Sequence, residues 1–350
     1  MRLNMRKGES DGRVNLENKT LQGTYSLAKL FEIFLENKIA EGRAEYTVYH
    51  YARSFELLTE YLDISGVRKD VRNVKTEDLR KFVGWLLNEK VRYEGHKYKP
   101  ESEREKPISK RTVYGYLKNI KSFYRFLEEE NYIHYNPAQT LKNVSYVDRD
   151  IEILTVDELR LLFNTPDARR YADFRDIVIM NLLLDTMCRI GEALALEKSD
   201  IDFKAKMIHF RGKNTKTKKA RIVPVKSKTI RLIKDLIEET EVFDTNFIFL
   251  VNYGEKMTTE RFRKRLTNFA KQAGIKRKIH PHLFRHTGAT MFLEAGGDIR
   301  HLQLILGHAD LRMCQRYTHL TVGSVLNQHD KFSALNAVEK PLNKERKILR

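Results

Sequence analysis

The stretch His282-Leu283-Phe284-Arg285-His286-Thr287 sets two imidazoles around one guanidinium. His282 and Arg285 stand three residues apart, so on a helix their side chains share a face. Further along come Leu306-Gly307-His308 and then Arg316-Tyr317-Thr318-His319. Any one of these histidines, taken alone, is best read as an ordinary helix residue or cap. Taken with the arginines they form a set suited to holding one phosphate. Cleaving a phosphodiester needs donors on the non-bridging oxygens, where negative charge grows in the transition state, and a proton for the departing oxygen. An arginine offers a planar fork to two such oxygens, a histidine a donor or base near neutral pH, and a lysine an acid.

Composition points to the same kind of partner. The 350 residues hold 65 Lys and Arg against 47 Asp and Glu, a formal net charge of +18. That balance favours a polyanion, with nucleic acid ahead of a membrane surface, although a basic chain alone is also explained by a solvated exterior. The hydrophobic fraction of 41% is that of globular protein, and the length allows two domains with separate cores, which argues against wholesale disorder. Cys188 and Cys314 lie far apart and outside any CxxC or Cys/His spacing, so neither a disulfide framework nor a zinc site is expected. An acidic cluster for Mg²⁺ is missing too, and no cofactor or metal is expected. No apolar run approaches the ~18 residues of a spanning helix, and the polar start Met1-Arg2-Leu3-Asn4 has no signal-peptide core. The expected location is the cytoplasm, with the DNA.

Outward from the His/Arg cluster, the chain reads as mainly α with a small β-sheet. Residues 1–22 are a polar lead, 23–140 a helical domain, 141–150 a linker, 151–320 a mixed α+β domain and 321–350 a tail. One-face spacing predicts helices through Leu27, Leu30, Phe31, Phe34 and Leu35, through Phe82, Val83, Leu86 and Leu87 after Thr76-Glu77-Asp78, and from Ser109 through Leu127. Between the last two, Tyr93 to Lys110 is dense in charge, with Gly95, Pro100 and Pro107, and reads as an exposed loop. Thr155-Val156-Asp157-Glu158 has the form of a capped helix start. Helices are expected over Leu182 to Leu196 and Ile230 to Ile237. Between them Met207-Ile208-His209-Phe210 and Arg221-Ile222-Val223-Pro224-Val225 form a hairpin-like pair around a lysine-rich turn.

Four ordered boxes carry a family resemblance. Thr186-Met187-Cys188-Arg189-Ile190-Gly191-Glu192-Ala193-Leu194 resembles the first arginine box of the tyrosine recombinases, the phage integrase and Xer proteins. His282 to Thr287 resembles their H-x-L-R-H-T box, Leu306-Gly307-His308 their L-G-H, and Arg316-Tyr317 the segment bearing the nucleophile. The resemblance covers the second domain and extends to a helical, SAM-like core-binding domain through Phe123-Tyr124-Arg125-Phe126-Leu127 to Asn136-Pro137. Met187 stands where the family usually has glycine, and Cys188 where it has leucine.

The resemblance implies a site-specific recombinase in which Tyr317 attacks the scissile phosphate, forming a 3′-phosphotyrosine and releasing a 5′-hydroxyl without ATP. It also implies that Arg189, Arg285 and His308 hold the phosphate and that His282 acts as base for the phenol. Lys216 then protonates the leaving oxygen. Counting back from Val223-Pro224 puts Lys216 in register, whereas counting forward from Arg189 selects Lys213. Glu192 is a supporting residue that orients a catalytic side chain or forms a plain ion pair. Lys218, Lys219, Arg221, Lys110 and Arg111 are expected to contact the DNA backbone. Double-stranded DNA bearing recombination sites is the implied partner, with a homotetramer on two sites. The tail, with Val322, Val325, Leu326, Phe332 and Leu335 at near-helical spacing, docks on a neighbouring subunit or on its own domain. Two other readings share these residues: type IB topoisomerase-like relaxation, and a regulator that binds DNA without cleaving it.

Overall fold

The computed structural model describes residues 26–94, 100–147, 151–215, 219–307, 310–315, 317, 329–331 and 333. The chain forms two compact units that divide between Asp148 and Arg149.

The first unit contains α1 (Leu27–Ala40), α2 (Glu45–Ile64), α3 (Thr76–Asn88), the short α4 (Glu101–Arg104) and α5 (Lys110–Glu129). The apolar stripes expected of α1, α3 and α5 are buried, among them Leu30, Phe31, Phe34, Phe82, Leu86, Val113 and Phe123. They close on α2, which the spacing had not singled out. There Phe55 stacks on Phe31 with ring centroids 3.9 Å apart, and Asn119 on α5 donates to Ser54 Oγ at 2.9 Å. Asn136 ties off the end of the unit, donating to Glu128 and accepting from the Ala138 amide, both at 2.9 Å. The stretch read as a loop between Tyr93 and Lys110 contains α4, and the Arg92 amide donates to Lys106 O at 2.8 Å to close its base. Pro100 explains the difference, since its fixed φ starts a helical turn as readily as it ends one.

The second unit contains α6 (Val156–Asn164), α7 (Tyr171–Thr186), α8 (Ile190–Leu194), β1 (Ile201–Asp202), β2 (Met207–Phe210), β3 (Arg221–Pro224), α9 (Ser227–Glu239), α10 (Thr259–Gln272), α11 (Pro281–Glu294), α12 (Ile299–Leu306) and α13 (Arg312–Gln315). The sheet is antiparallel in the order β1-β2-β3, and the β2–β3 register pairs Phe210 with Arg221 at the turn end. A capping box between Thr155 and Glu158 starts α6. Helix α7 buries Val178, Ile179, Met180, Leu182 and Leu183, which no single face can hold, and so it runs through the middle of the core.

The helix expected over Leu182–Leu196 is two helices. Met187 lies between them in the left-handed region, φ 52° and ψ 25°, a conformation that ends a right-handed helix. Its side chain is buried against Gly288 of α11. A Cβ at Gly288 would stand 2.8 Å from Leu184 O and 2.9 Å from Met187 Cγ, so the bare glycine is what lets α7 and α11 approach. Met187→Gly relieves a left-handed penalty of about 1–2 kcal/mol. It also removes a buried side chain whose loss costs about 2–5 kcal/mol. Burial outweighs strain, and the variant is expected to unfold at lower urea concentration than the wild type. A raised midpoint would mean that strain is the larger effect.

Candidate active site

Helix α11 opens with Pro281 at its first position, after His280 in an extended conformation. Arg285 follows one turn in and is 4% exposed. Its two terminal nitrogens donate to backbone carbonyls on different elements, Nη1 to Met187 O at 2.6 Å and Nη2 to Leu306 O at 3.0 Å. Met187 is the left-handed residue after α7, and Leu306 ends α12. Burial, followed by the nearby Arg189 charge, lowers the Arg285 guanidinium to about 10, so it keeps its charge at neutral pH.

Arg189 stands at the N-terminus of α8. Its Nη1 donates to Glu192 Oε1 at 2.8 Å, and its amide donates to Glu192 Oε2 at 3.1 Å. Glu192 is also bound by Arg221, whose Nη2 reaches Oε2 at 2.6 Å. Burial raises the Glu192 carboxyl, but the hydrogen bond and charge of Arg221, helped by Arg189, outweigh it and hold the group below the ordinary carboxylate range. Arg221 had been expected on DNA, and the structure corrects this. Its side chain is 7% exposed, lies over the Phe210 ring, and donates Nε to Ile305 O at 2.8 Å. A guanidinium satisfied in this way from β3 to α8 and α12 is turned into the protein. The register that pairs Arg221 with Phe210 directs it there.

Tyr317 is 7% exposed, clustered with Met187, Ala289, Leu302, Leu306 and Cys314. Its hydroxyl lies 3.0 Å from His286 Nδ1. The imidazole within hydrogen-bond distance of the phenol is that of His286, one turn beyond His282 along α11. His282 is exposed on the first turn. Although its ring reaches solvent, partial desolvation by the atoms around it, then the charges of His280 and Arg285, lower its pKa. His286 was visible in the His282–Thr287 box without a role, and the i, i+4 spacing from His282 was the available signal.

Lys213 and Lys219 are exposed on either side of the hairpin turn. Thr215 Oγ1 lies 3.0 Å from both Gly212 O and Lys219 O, which fastens the two ends of that turn together. Lys110 and Arg111 are exposed at the start of α5, with the Arg111 guanidinium over the Tyr146 ring. Lys216, Lys218 and His308 lie outside the described residues, as do the lead of residues 1–22 and Val322, Val325, Leu326, Phe332 and Leu335 of the tail. Among the described residues no His/Cys/Asp/Glu group of three or more could hold a metal ion, and no helix is long and apolar enough to cross a membrane.

The pattern of the Phage integrase family matches residues 152–323. Tyrosine recombinase XerC of Oceanobacillus iheyensis is 31% identical over 291 residues, which span 81% of this chain and 88% of that protein. Tyrosine recombinase XerD of Listeria monocytogenes is 28% identical over 299 residues, 83% of this chain and 94% of that one. Among solved structures, the XerH site-specific recombinase bound to its difH substrate in a pre-cleavage complex superposes with a TM-score of 0.63. The alignment has 19% identity and covers 91% of this chain and 90% of that one. A lambda integrase dimer bound to a COC' core site gives a TM-score of 0.65 at 14% identity, over 86% of this chain and 79% of that one. Identities this low speak to the fold alone. The chain belongs to the phage integrase family of tyrosine site-specific recombinases and is an enzyme of that class.

Because Glu192 titrates below its unfolded value, the stabilisation it provides is complete above the ordinary carboxylate range and is lost as pH falls through the lowered folded value. Glu192→Gln keeps the shape, removes the charge between two arginines, and is expected to cost roughly 3–5 kcal/mol at pH 7. Urea unfolding at pH 7 and in acid should show the deficit shrinking as the wild-type carboxylate is protonated. An equal deficit at both would mean that the charge is not what matters.

Proposed function

We propose that the protein recombines DNA at specific sites, with Tyr317 attacking the scissile phosphate to form a 3′-phosphotyrosine link. The observation that carries this is that Arg285 and Tyr317, from separate segments, converge on the same two residues: Arg285 donates to Met187 O and Leu306 O, and Tyr317 packs in the cluster that holds Met187 and Leu306. Arg189 and Arg285 neutralise the non-bridging oxygens with His308 on the same phosphate, and His282 takes the proton of the phenol. Lys216, or Lys213 in its place, gives the departing 5′-oxygen its proton. The phosphodiester energy is kept in the protein link, so a partner strand's 5′-hydroxyl can reverse the step without ATP.

The partner is double-stranded DNA carrying recombination sites, met in the cytoplasm. Exchange of strands between two duplexes uses four cleaved strands and hence a homotetramer on two sites. The named relatives are recombinases, and two of the similar structures hold DNA sites. They lend nothing to the topoisomerase or non-cleaving readings. A net charge of +18 holds free subunits apart and is neutralised on DNA. Lys110, Arg111, Lys218 and Lys219 supply backbone contacts.

Sequencing recombinant junctions formed with DNA flanking the gene identifies the site. On a nicked duplex built from that junction, Tyr317→Phe is expected to bind as the wild type does and to form no covalent adduct, because only the attacking oxygen is gone. Normal adduct yield from the Phe variant would move the nucleophile to another residue.

A further inference from the structure

The second unit opens with a short extended stretch, Ile151 to Leu154, that belongs to no strand among the described residues. Side chains satisfy its backbone instead. The Leu154 amide donates to Thr287 Oγ1 at 2.7 Å, both residues being buried, and Ile153 O accepts from Arg277 Nη2. Arg277, in the connection between α10 and α11, also donates Nε to Glu158 Oε1 at 2.7 Å, and Glu158 is the carboxylate that caps α6. The two ends of the stretch rest on different cores. Leu154 lies in the main core of the unit, whereas the half-buried Ile151 packs against the smaller cluster that contains Tyr317, Met187 and Leu306. Met187 and Leu306 are the residues whose carbonyls hold Arg285, and Thr287 follows Arg285 by two positions on α11. Tyr317 itself comes just after the four-residue α13, with its amide on Cys314 O at 3.0 Å. So little regular structure leaves the seat of its ring to side-chain packing.

We propose that the stretch from Ile151 to Leu154 is a strap that positions Tyr317, an inference that rests on Tyr317 being the attacking residue. Ile151 and Thr287 are its positioning residues: the first bears on the cluster around the phenol, and the second holds the strap in place. The Leu154 amide is buried, so without the Thr287 oxygen it loses its partner and the strap loses its register on α11. Ile151 then no longer backs the cluster. A ring that shifts within a loosened cluster loses its line of attack on phosphorus, which lowers the rate of the covalent step and leaves the affinity for DNA as it was.

The test uses the full chain and the nicked duplex carrying the recovered junction sequence. For each variant the DNA affinity, the rate of adduct formation at saturating protein and the urea midpoint are measured. Ile151→Ala removes the contact with the cluster, and Thr287→Val keeps the side-chain shape but takes away the oxygen that holds the Leu154 amide. Each is expected to bind the duplex as the wild type does and to form the adduct about tenfold more slowly. The conservative variants Ile151→Val and Thr287→Ser are expected to keep most of the rate. Leu236→Ala, which empties a site in the main core and not in the Tyr317 cluster, is expected to lower the urea midpoint and leave the rate unchanged. A wild-type adduct rate in either Ile151→Ala or Thr287→Val would overturn the strap. So would a Thr287→Ser as slow as Thr287→Val, an equal slowing by Leu236→Ala, or a loss of affinity at unchanged rate, each the mark of a general effect on the fold. An adduct formed by Tyr317→Phe would instead overturn the reading of Tyr317 itself, so the two failures are told apart.

Discussion

A buried arginine held from behind by two carbonyl oxygens organises this site. Arg285 cannot be solvated where it sits, and the oxygens of Met187 and Leu306 supply the partners that water would otherwise provide. Each of those oxygens comes from a helix end, where carbonyls lack an intrahelical partner. Helices α7 and α12 therefore terminate where they do, and the guanidinium in turn fastens both ends to α11. The lowered pKa of Arg285 reflects the same burial, while its charge survives at neutral pH for use on a phosphate.

The second arginine is organised by a carboxylate. Glu192 is bound by Arg189 and Arg221 together, and Arg221 also grips Ile305 O and covers the Phe210 ring. The hairpin, the short helix α8 and the end of α12 are thus joined through Arg221 and the carboxylate it shares with Arg189. Their shared burial makes the network costly to break at any one point. This gives a physical sense to the supporting part expected of Glu192: it orients Arg189 by accepting from Nη1 of its guanidinium and from the amide of the same residue.

Much of this was legible in the residues. Arg189, Arg285, Tyr317 and the hairpin strands stand in fixed local wording, and the stripes of α1, α3 and α5 follow an unbroken helical period. Helix α2 was passed over because Tyr46, Tyr49, His50 and Tyr51 precede its apolar stripe and blur where that stripe begins. The inward turn of Arg221 depends on a cross-strand register and on α12 packing above it, neither of which one strand's sequence contains. The break after Thr186 was hidden for a different reason. Nothing about methionine announces a left-handed backbone, and the residues on both sides continue a helical pattern. The contact between His286 and Tyr317 joins two segments whose distance is set only by the folded core.

Met187 also constrains which sequences can encode this fold. Its side chain occupies the space directly over Gly288, where even a methyl group would collide with both Met187 and the end of α7. Position 288 must stay bare whatever stands at 187, because the Leu184 carbonyl alone leaves no room for a methyl group there. A chain that drifts to glycine at 187 opens a void beside the buried arginine. The constraint therefore runs one way: 288 is fixed by the backbone of α7, and what 187 can be is set by the space that the bare glycine leaves.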